Sequence, residues 1–236
     1  MSQILAKNAD MASKFKDIIG LRYEPVAIKL VKKGEEFPGN FPLPEKQQSH
    51  CQAICSAKDG KGLKMPFESE GCMVGACSLG MTERSEKIAT GNFHAGIGIH
   101  SSAEAAKEMF DTIVDVPYET AGEVICPLKE ADFEPDVVVF VDIPERLYWF
   151  ECLHVRNGGG RVKYLTAPFQ CTCADCTSYP LVNKTINASL GCYGCRRKTN
   201  LKPEEMVMGV YYPLLDQMAK DLDVYKDGVL TKAKRD

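Results

Sequence analysis

Short β-branched runs alternating with amphipathic stretches predict an α/β domain, with a mixed α+β arrangement as its variant. Three features carry that class. The runs at residues 25–30, 124–126, 137–141, 186–190 and 206–212 have the length and composition of strands. The segments between them place apolar residues at helical spacing. No proline-rich, serine-rich or low-complexity linker divides the 236 residues, of which 44% are hydrophobic, so a single compact domain over 1–236 is expected.

The elements follow in order. Ile4, Met11, Phe15, Ile18 and Ile19 among lysines and aspartates make residues 1–21 an amphipathic helix. After the strand at 25–30, the proline-rich stretch 37–44 is a loop. Ser49 caps a helix running to about Lys58, and Gly60 ends it. On that helix Cys51 and Cys55 share a face. Residues 93–100 alternate apolar with small or polar side chains and read as a strand. Ser101 and Glu104 form a capping box for a helix from 103 to about 113. The run 137–141 is nearly all β-branched and so buried on both faces. Asp142 and Glu145 form another capping box, with Pro144 in the first turn, for a helix to about 155. A last helix runs from 213 to about 222, followed by a charged tail.

The chain holds eleven cysteines, and their spacing repeats. Cys72 and Cys77 form a Cys-x4-Cys frame, as do Cys171 and Cys176 with Cys173 between them. Each frame follows a basic, glycine-rich turn and a five-residue extended run, 63–67 in one case and 161–165 in the other. In that register His154 stands opposite Cys55. The match suggests an internally duplicated unit, with pseudo-repeats at about 22–115 and 123–222, whose loops present thiolates.

Thiolates gathered on loops are the usual ligands of zinc or iron-sulfur clusters. The candidate ligands are Cys51, Cys55, Cys72, Cys77, Cys171, Cys173, Cys176, Cys192 and Cys195. Cys126, within a strand, and Cys152, among Trp149, Phe150 and Leu153, read as small core residues. A Cys-x2-Cys turn aims two sulfurs and several backbone N–H groups at one centre, and the glycines around Cys192 and Cys195 suit such a turn. Arg196 and Arg197 follow at once and are candidates to stabilise an anionic cluster. Cys173, Cys176, Cys192 and Cys195 would satisfy a structural zinc site, but zinc alone leaves five thiols unused. No ferredoxin spacing occurs, so the iron reading rests on the number and placement of the cysteines. Among the four histidines, His50 beside Cys51 is the best candidate ligand.

Other chemistries are excluded. Met81 replaces the lysine of a phosphate-binding loop, Lys58 stands where a radical S-adenosylmethionine site needs a third cysteine, and no Gly-x-Ser-x-Gly elbow is present. A formal net charge of −3 offers no basic field for nucleic acid. No run approaches the ~18 apolar residues of a membrane span, and the N-terminal stretch lacks the apolar core of a signal peptide. A cytoplasmic location follows as an expectation, and there an odd number of cysteines argues for metal or redox chemistry over disulfides.

Residues 25–30, the helix with Cys51, the turn Glu70-Gly71-Cys72 with Leu79-Gly80, and above all Tyr179-Pro-Leu-Val182 followed by Asn187 to Gly194 resemble the archaeal and bacterial family called domain of unknown function 169. The resemblance runs over about residues 18–222. It implies an α/β domain common in anaerobes and methanogenic archaea, with recurring cysteines at the positions of Cys51, Cys72 and Cys192. Cys55, Cys77, Cys173 and Cys195 are additions that favour a metal-loaded branch. The expected function is that of an iron-sulfur protein with one or two 4Fe-4S clusters. Cys51 or Cys55 would meet Cys72 and Cys77 at one centre, and Cys171, Cys176, Cys192 and a fourth thiol at another. Its work would be electron transfer, or delivery of clusters or electrons to a larger redox enzyme or other protein partner. Homo-oligomerisation stays open, and no acid-base pair argues for independent catalysis. The alternatives are a zinc-stabilised binding module and a thiol oxidoreductase or metal chaperone using Cys192 and Cys195.

Overall fold

The computed structural model describes residues 2–233, so Met1 and the end of the charged tail at 234–236 lie outside the described residues. The elements run α1 (Gln3–Ile19), β1 (Val26–Lys32), α2 (His50–Lys58), β2 (Leu63–Pro66), α3 (Met73–Ser78), α4 (Glu86–Ala89), α5 (Asn92–Ala95), α6 (Ala103–Asp111), β3 (Thr120–Pro127) and β4 (Val137–Asp142). They continue with α7 (Pro144–Val155), a π-helix (Cys171–Ser178), α8 (Tyr179–Asn183), β5 (Ile186–Ser189), α9 (Tyr193–Lys198), β6 (Met206–Tyr211), α10 (Leu215–Lys226) and α11 (Val229–Ala233). Within these residues the strands form one six-stranded sheet, in the order β2-β3-β1-β4-β6-β5, and every neighbouring pair is antiparallel. The domain is therefore single and mixed α/β, built on an antiparallel sheet.

Helices cover both faces, which is why β4 is buried at all six positions although its neighbours are antiparallel. On one face Ala27, Cys126, Val138, Phe140 and Met208 pack against Phe15 of α1, Phe150 of α7 and Leu222 of α10. On the other, Val26, Ile28, Ile125, Val139 and Val207 pack against Ile54 of α2, Cys176 of the π-helix and Cys195 of α9. Strand alternation sends successive residues of β4 to these two cores in turn.

The expected duplicated unit is not seen. Under the repeats at about 22–115 and 123–222, α2 should correspond to α7, yet they cover opposite faces of the sheet. Residues 63–66 pair with β3, whereas 161–165 join no strand, and Leu165 is instead held by the Asn187 side chain at 3.0 Å. Both cysteine frames lie on helices rather than loops.

Three other elements differ from the sequence reading. α6 is capped by Ser102, whose hydroxyl accepts the Ala105 N–H at 3.2 Å, and not by Ser101. Residues 93–100 contain α5 and turns, because the small residues between the apolar ones let a tight helical turn bury His94 against Phe110 and Phe169. Asp142 does not cap α7. Ile143 is the N-cap, and the buried Asp142 carboxylate accepts from the Arg22 guanidinium at 2.8 Å.

The π-helix lies flush on β6. A Cβ built on Gly209 would come within 1.9 Å of the Cys176 carbonyl oxygen, so only glycine lets the two backbones touch there. Gly209→Ala should lower the unfolding free energy by at least about 2 kcal/mol through overpacking, read as a shift in the urea midpoint with little change in slope.

Candidate metal centre

Four segments bring thiols to one chamber of about 470 Å³. Cys51 comes from the first turn of α2, Cys72 from the N-cap of α3, Cys173 from the π-helix, and Cys192 and Cys195 from the start of α9. α2 starts where it does because Ser49 and Gln52 form a reciprocal capping box. α9 begins after Gly191, whose φ of +88° a side chain would resist. The π-helix begins at Gln170, itself held in the left-handed region at φ 57°. Its wide bonding is reinforced by Thr177, whose hydroxyl donates to the Thr172 carbonyl at 2.7 Å, while the Ser178 hydroxyl donates to the Ser78 carbonyl of α3 at 2.7 Å.

Within Cys51, Cys72, Cys173 and Cys192 all six pairs are close enough that a charge on one sulfur disfavours charge on another. Among the described residues no three His, Cys, Asp or Glu side chains close on a single point suited to one metal ion. The sulfurs are spread around the chamber.

Two cross-segment thiol pairs polarise the site. The Cys195 thiol hydrogen-bonds Cys51 and, with Ser49 at 3.1 Å, brings Cys51 down to about 7 against the cost of burial. Cys171 does the same for Cys192, which also receives the backbone N–H of Cys195 at 3.2 Å and falls to about 6. Burial pushes Cys72 up to about 11, although the Gly75 N–H opposes the rise. Cys173, fully enclosed, is raised too.

The remaining sequence candidates stand apart from the chamber wall. Cys55 lies one turn along α2 from Cys51, buried and raised to about 11. Cys171 flanks the site through Cys192, and its thiol faces the Ala167 carbonyl at 2.9 Å. Cys77 points to the far side of α3, into a small cluster with Ile88 and Phe110, and donates to the Glu83 carbonyl at 3.4 Å. Cys176 points to the sheet and donates to the Val207 carbonyl at 3.4 Å. The thiols thus converge on one chamber, and the arrangement of two centres through Cys77 and Cys176 does not form. Arg196 donates to the carbonyls of Leu190, Lys202 and Glu205, which ties the loop after β5 together rather than facing the chamber. Arg197 does line it.

Beneath the thiols lies a polar group that spacing alone did not reveal. His50 is 2% exposed, with Nδ1 2.9 Å from both oxygens of the fully buried Glu123 and Nε2 3.0 Å from Thr177 Oγ1. The Thr177 hydroxyl has committed its proton to Thr172, so it accepts from Nε2. Both ring nitrogens are therefore donors, which makes His50 an imidazolium and leaves it no lone pair for a metal. Burial opposes that charge, but Glu123 outweighs it and the His50 pKa is raised. Glu70 accepts the backbone N–H groups of His50 and Cys72 at 3.0 and 2.7 Å, while burial and Glu123 push it up to about 8. One signal in the chain could have found this group. Glu123 stands at an inward position, two residues from Ile125, at the head of the buried apolar run Val124 to Cys126.

The family model described as Uncharacterised ArCR, DUF169, matches residues 14–221. A relative from Methanocaldococcus jannaschii, the uncharacterized protein MJ0308, is 33% identical over 201 residues, covering 84% of this chain and 85% of its own. No solved structure matches. Among the described residues no helix is long and apolar enough to cross a membrane.

Glu123→Ala leaves the imidazolium buried without its partner and should cost roughly 3–5 kcal/mol in denaturant unfolding. Two raised pKa values give stability that is lost as pH rises. Between 4.5 and about 8 the folded chain keeps a proton on Glu70 that the unfolded chain has lost, so this contribution falls through that window. The His50 pair adds in the same direction, complete below 6.5 and lost as pH climbs through its higher folded value. The thiols of Cys51 and Cys192, lowered to about 7 and about 6, act oppositely and add stability as pH rises. Glu70→Gln removes only the first contribution, so the difference in urea midpoint between variant and parent should favour the variant more at pH 8 than at pH 5.5.

Proposed function

The chain belongs to the DUF169 family, and from that premise and the geometry of its thiol chamber we propose that it is an iron-sulfur protein. Its role is electron transfer, or delivery of electrons or clusters to a larger redox enzyme, in an anaerobic cytoplasm. The observation that carries this reading is the convergence of Cys51, Cys72, Cys173 and Cys192, four thiols from four segments, on the wall of one chamber. Four thiolates are what a 4Fe-4S cluster requires. Cys195, hydrogen-bonded to Cys51, is the neighbour best placed to substitute for one of them.

The surroundings fit such a group. A methyl built on Gly75 would lie 3.7 Å from both the Cys72 and Cys173 sulfurs, and one on Gly194 would lie 3.9 Å from that of Cys192, so two glycines keep the space between the thiols clear. The N–H groups of Gly75, Gly194 and Cys195 face sulfur and offset its charge. His50, under Cys51, adds an imidazolium whose charge Glu123 balances at 2.9 Å. A bound cluster supplies a one-electron couple, while the chain holds the thiolates, excludes water and sets the local charge. A mononuclear zinc site is less well supported. Its sulfurs must close on one point, and Cys176, one of its four expected ligands, faces the sheet.

A second reading, a thiol oxidoreductase, draws support from the hydrogen-bonded pairs Cys51 with Cys195 and Cys171 with Cys192. It would move the reactive pairing from Cys192 with Cys195, as the spacing suggested, to thiols of different segments.

Iron, zinc and acid-labile sulfide per chain, with a visible spectrum, should be measured on protein purified without oxygen. About four irons and four sulfides with charge-transfer absorbance are expected. Cys72→Ser or Cys192→Ser should abolish them, while Cys77→Ser and Cys126→Ser should retain both. Protein with no iron, or with one zinc and no sulfide, would sink the proposal. Iron-free protein that reduces disulfides only while Cys171 and Cys192 are both present would favour the second reading.

A further inference from the structure

Much of the chamber wall carries no thiol, and its chemistry points elsewhere. Besides the buried His50, which is paired with Glu123, three cationic side chains line the chamber, Lys87, Arg197 and Lys198, and no carboxylate does. All three are exposed, and among the described residues none is paired with an acidic side chain. In a chain whose net charge is −3, an uncompensated basic rim is a local feature. Below it the wall is apolar, with Phe93, Ile97 and Phe169 among its side chains.

Two buried polar atoms on this wall have no partner. Gln170 is 4% exposed, and its amide nitrogen donates to the Val74 carbonyl at 3.0 Å and also to the Ser78 hydroxyl. The Val74 carbonyl can only accept, so the amide orientation is fixed, and Oε1 is left as an acceptor with no donor. Gln170 is also one of two non-glycine residues with positive φ among those described, a costly conformation that packing must enforce. His94, 1% exposed, is held between the rings of Phe110 and Phe169 at centroid distances of 4.3 and 4.4 Å, and its Nδ1 is unpartnered. A buried polar atom without a partner costs free energy, and two on one wall of a cavity mark a place where a ligand supplies what the protein lacks.

We infer that the chamber binds a small organic anion with a flat apolar body and an N–H or O–H donor. Its charge meets the rim of Lys87, Arg197 and Lys198, its body lies against the aromatic wall, and its donor bonds Gln170 Oε1 or His94 Nδ1. The chamber's volume of about 470 Å³, which a cluster at the thiols would share, falls within the range of small-molecule sites, roughly 300–1,000 Å³. This inference goes beyond the cluster reading and uses the part of the wall that carries no thiol. A protein that only relays electrons needs no such seat, whereas one that also holds a small molecule beside its thiols does.

The test compares two fluorescent probes on the full chain as purified, with iron content recorded. 1-Anilinonaphthalene-8-sulfonate carries the anion, the aromatic body and an N–H. N-Phenyl-1-naphthylamine is the same molecule without the sulfonate. The sulfonate should bind saturably at one site per chain, at least tenfold more tightly than the neutral probe. Lys87→Gln with Arg197→Gln, both exposed and so without effect on folding, should erase that preference. His94→Phe keeps the aromatic packing and removes an acceptor, so it should weaken both probes several-fold. Equal binding of the two probes, a preference that survives the double variant, or no saturable binding of the sulfonate would each overturn the inference. The titration is run on iron-loaded and on iron-free protein, so that the probe preference reads the rim and the aromatic wall while the iron content reads the cluster proposal.

Discussion

The imidazolium of His50 joins two of the four segments that carry the chamber thiols to each other and to the sheet. Its own backbone belongs to α2, Nδ1 reaches Glu123 on β3, and Nε2 reaches Thr177 on the π-helix. Glu70 extends the link to a third thiol-bearing segment by accepting the N–H of Cys72, the residue that caps α3. Such a buried ion pair adds little net stability over apolar packing, because desolvating two charges consumes most of the attraction. Its effect is on position. Bonds of 2.9–3.0 Å at both ends of one ring leave α2, the sheet and the π-helix a single relative placement.

The π-helix is the second constraint. It rests directly on β6 through Gly209 and is wound so that Cys173 and Thr177 face the chamber and His50 while Cys176 faces the sheet. Wide helical turns of this kind are concentrated at functional sites. Here the winding separates thiols that sit close together in the chain.

The parts of the fold legible in the sequence were those set by local chemistry. The cap at Ser49, the β-branched run of β4 and the glycine after α2 each announce an element through residues within a few positions. The alternation at 93–100 misled because small residues alternating with apolar ones fit a tight helical turn as well as a strand. For the chamber, the sequence singled out the cysteines but not which of them share it. Cys77 and Cys176 share frames with Cys72 and Cys173, and the helices carrying them turn their sulfurs away. The His50 group was invisible to spacing because its members are Glu123 and Thr177, far along the chain, brought to His50 only by the sheet and by the packing of the π-helix upon it.

The segments that wall the chamber are distant in sequence and are carried by a sheet whose pairings among β1, β3, β4 and β6 are mostly long-range. Loop-closure entropy must be overcome before such contacts form, which makes topologies of this kind slow to fold. During synthesis the cysteines up to Cys77 are made well before β6 exists to carry the π-helix, and for that interval nothing shelters them. Resistance of these thiols to oxidation is thus a property acquired late, with the finished sheet, and a variant that slows folding without touching a cysteine would damage them all the same.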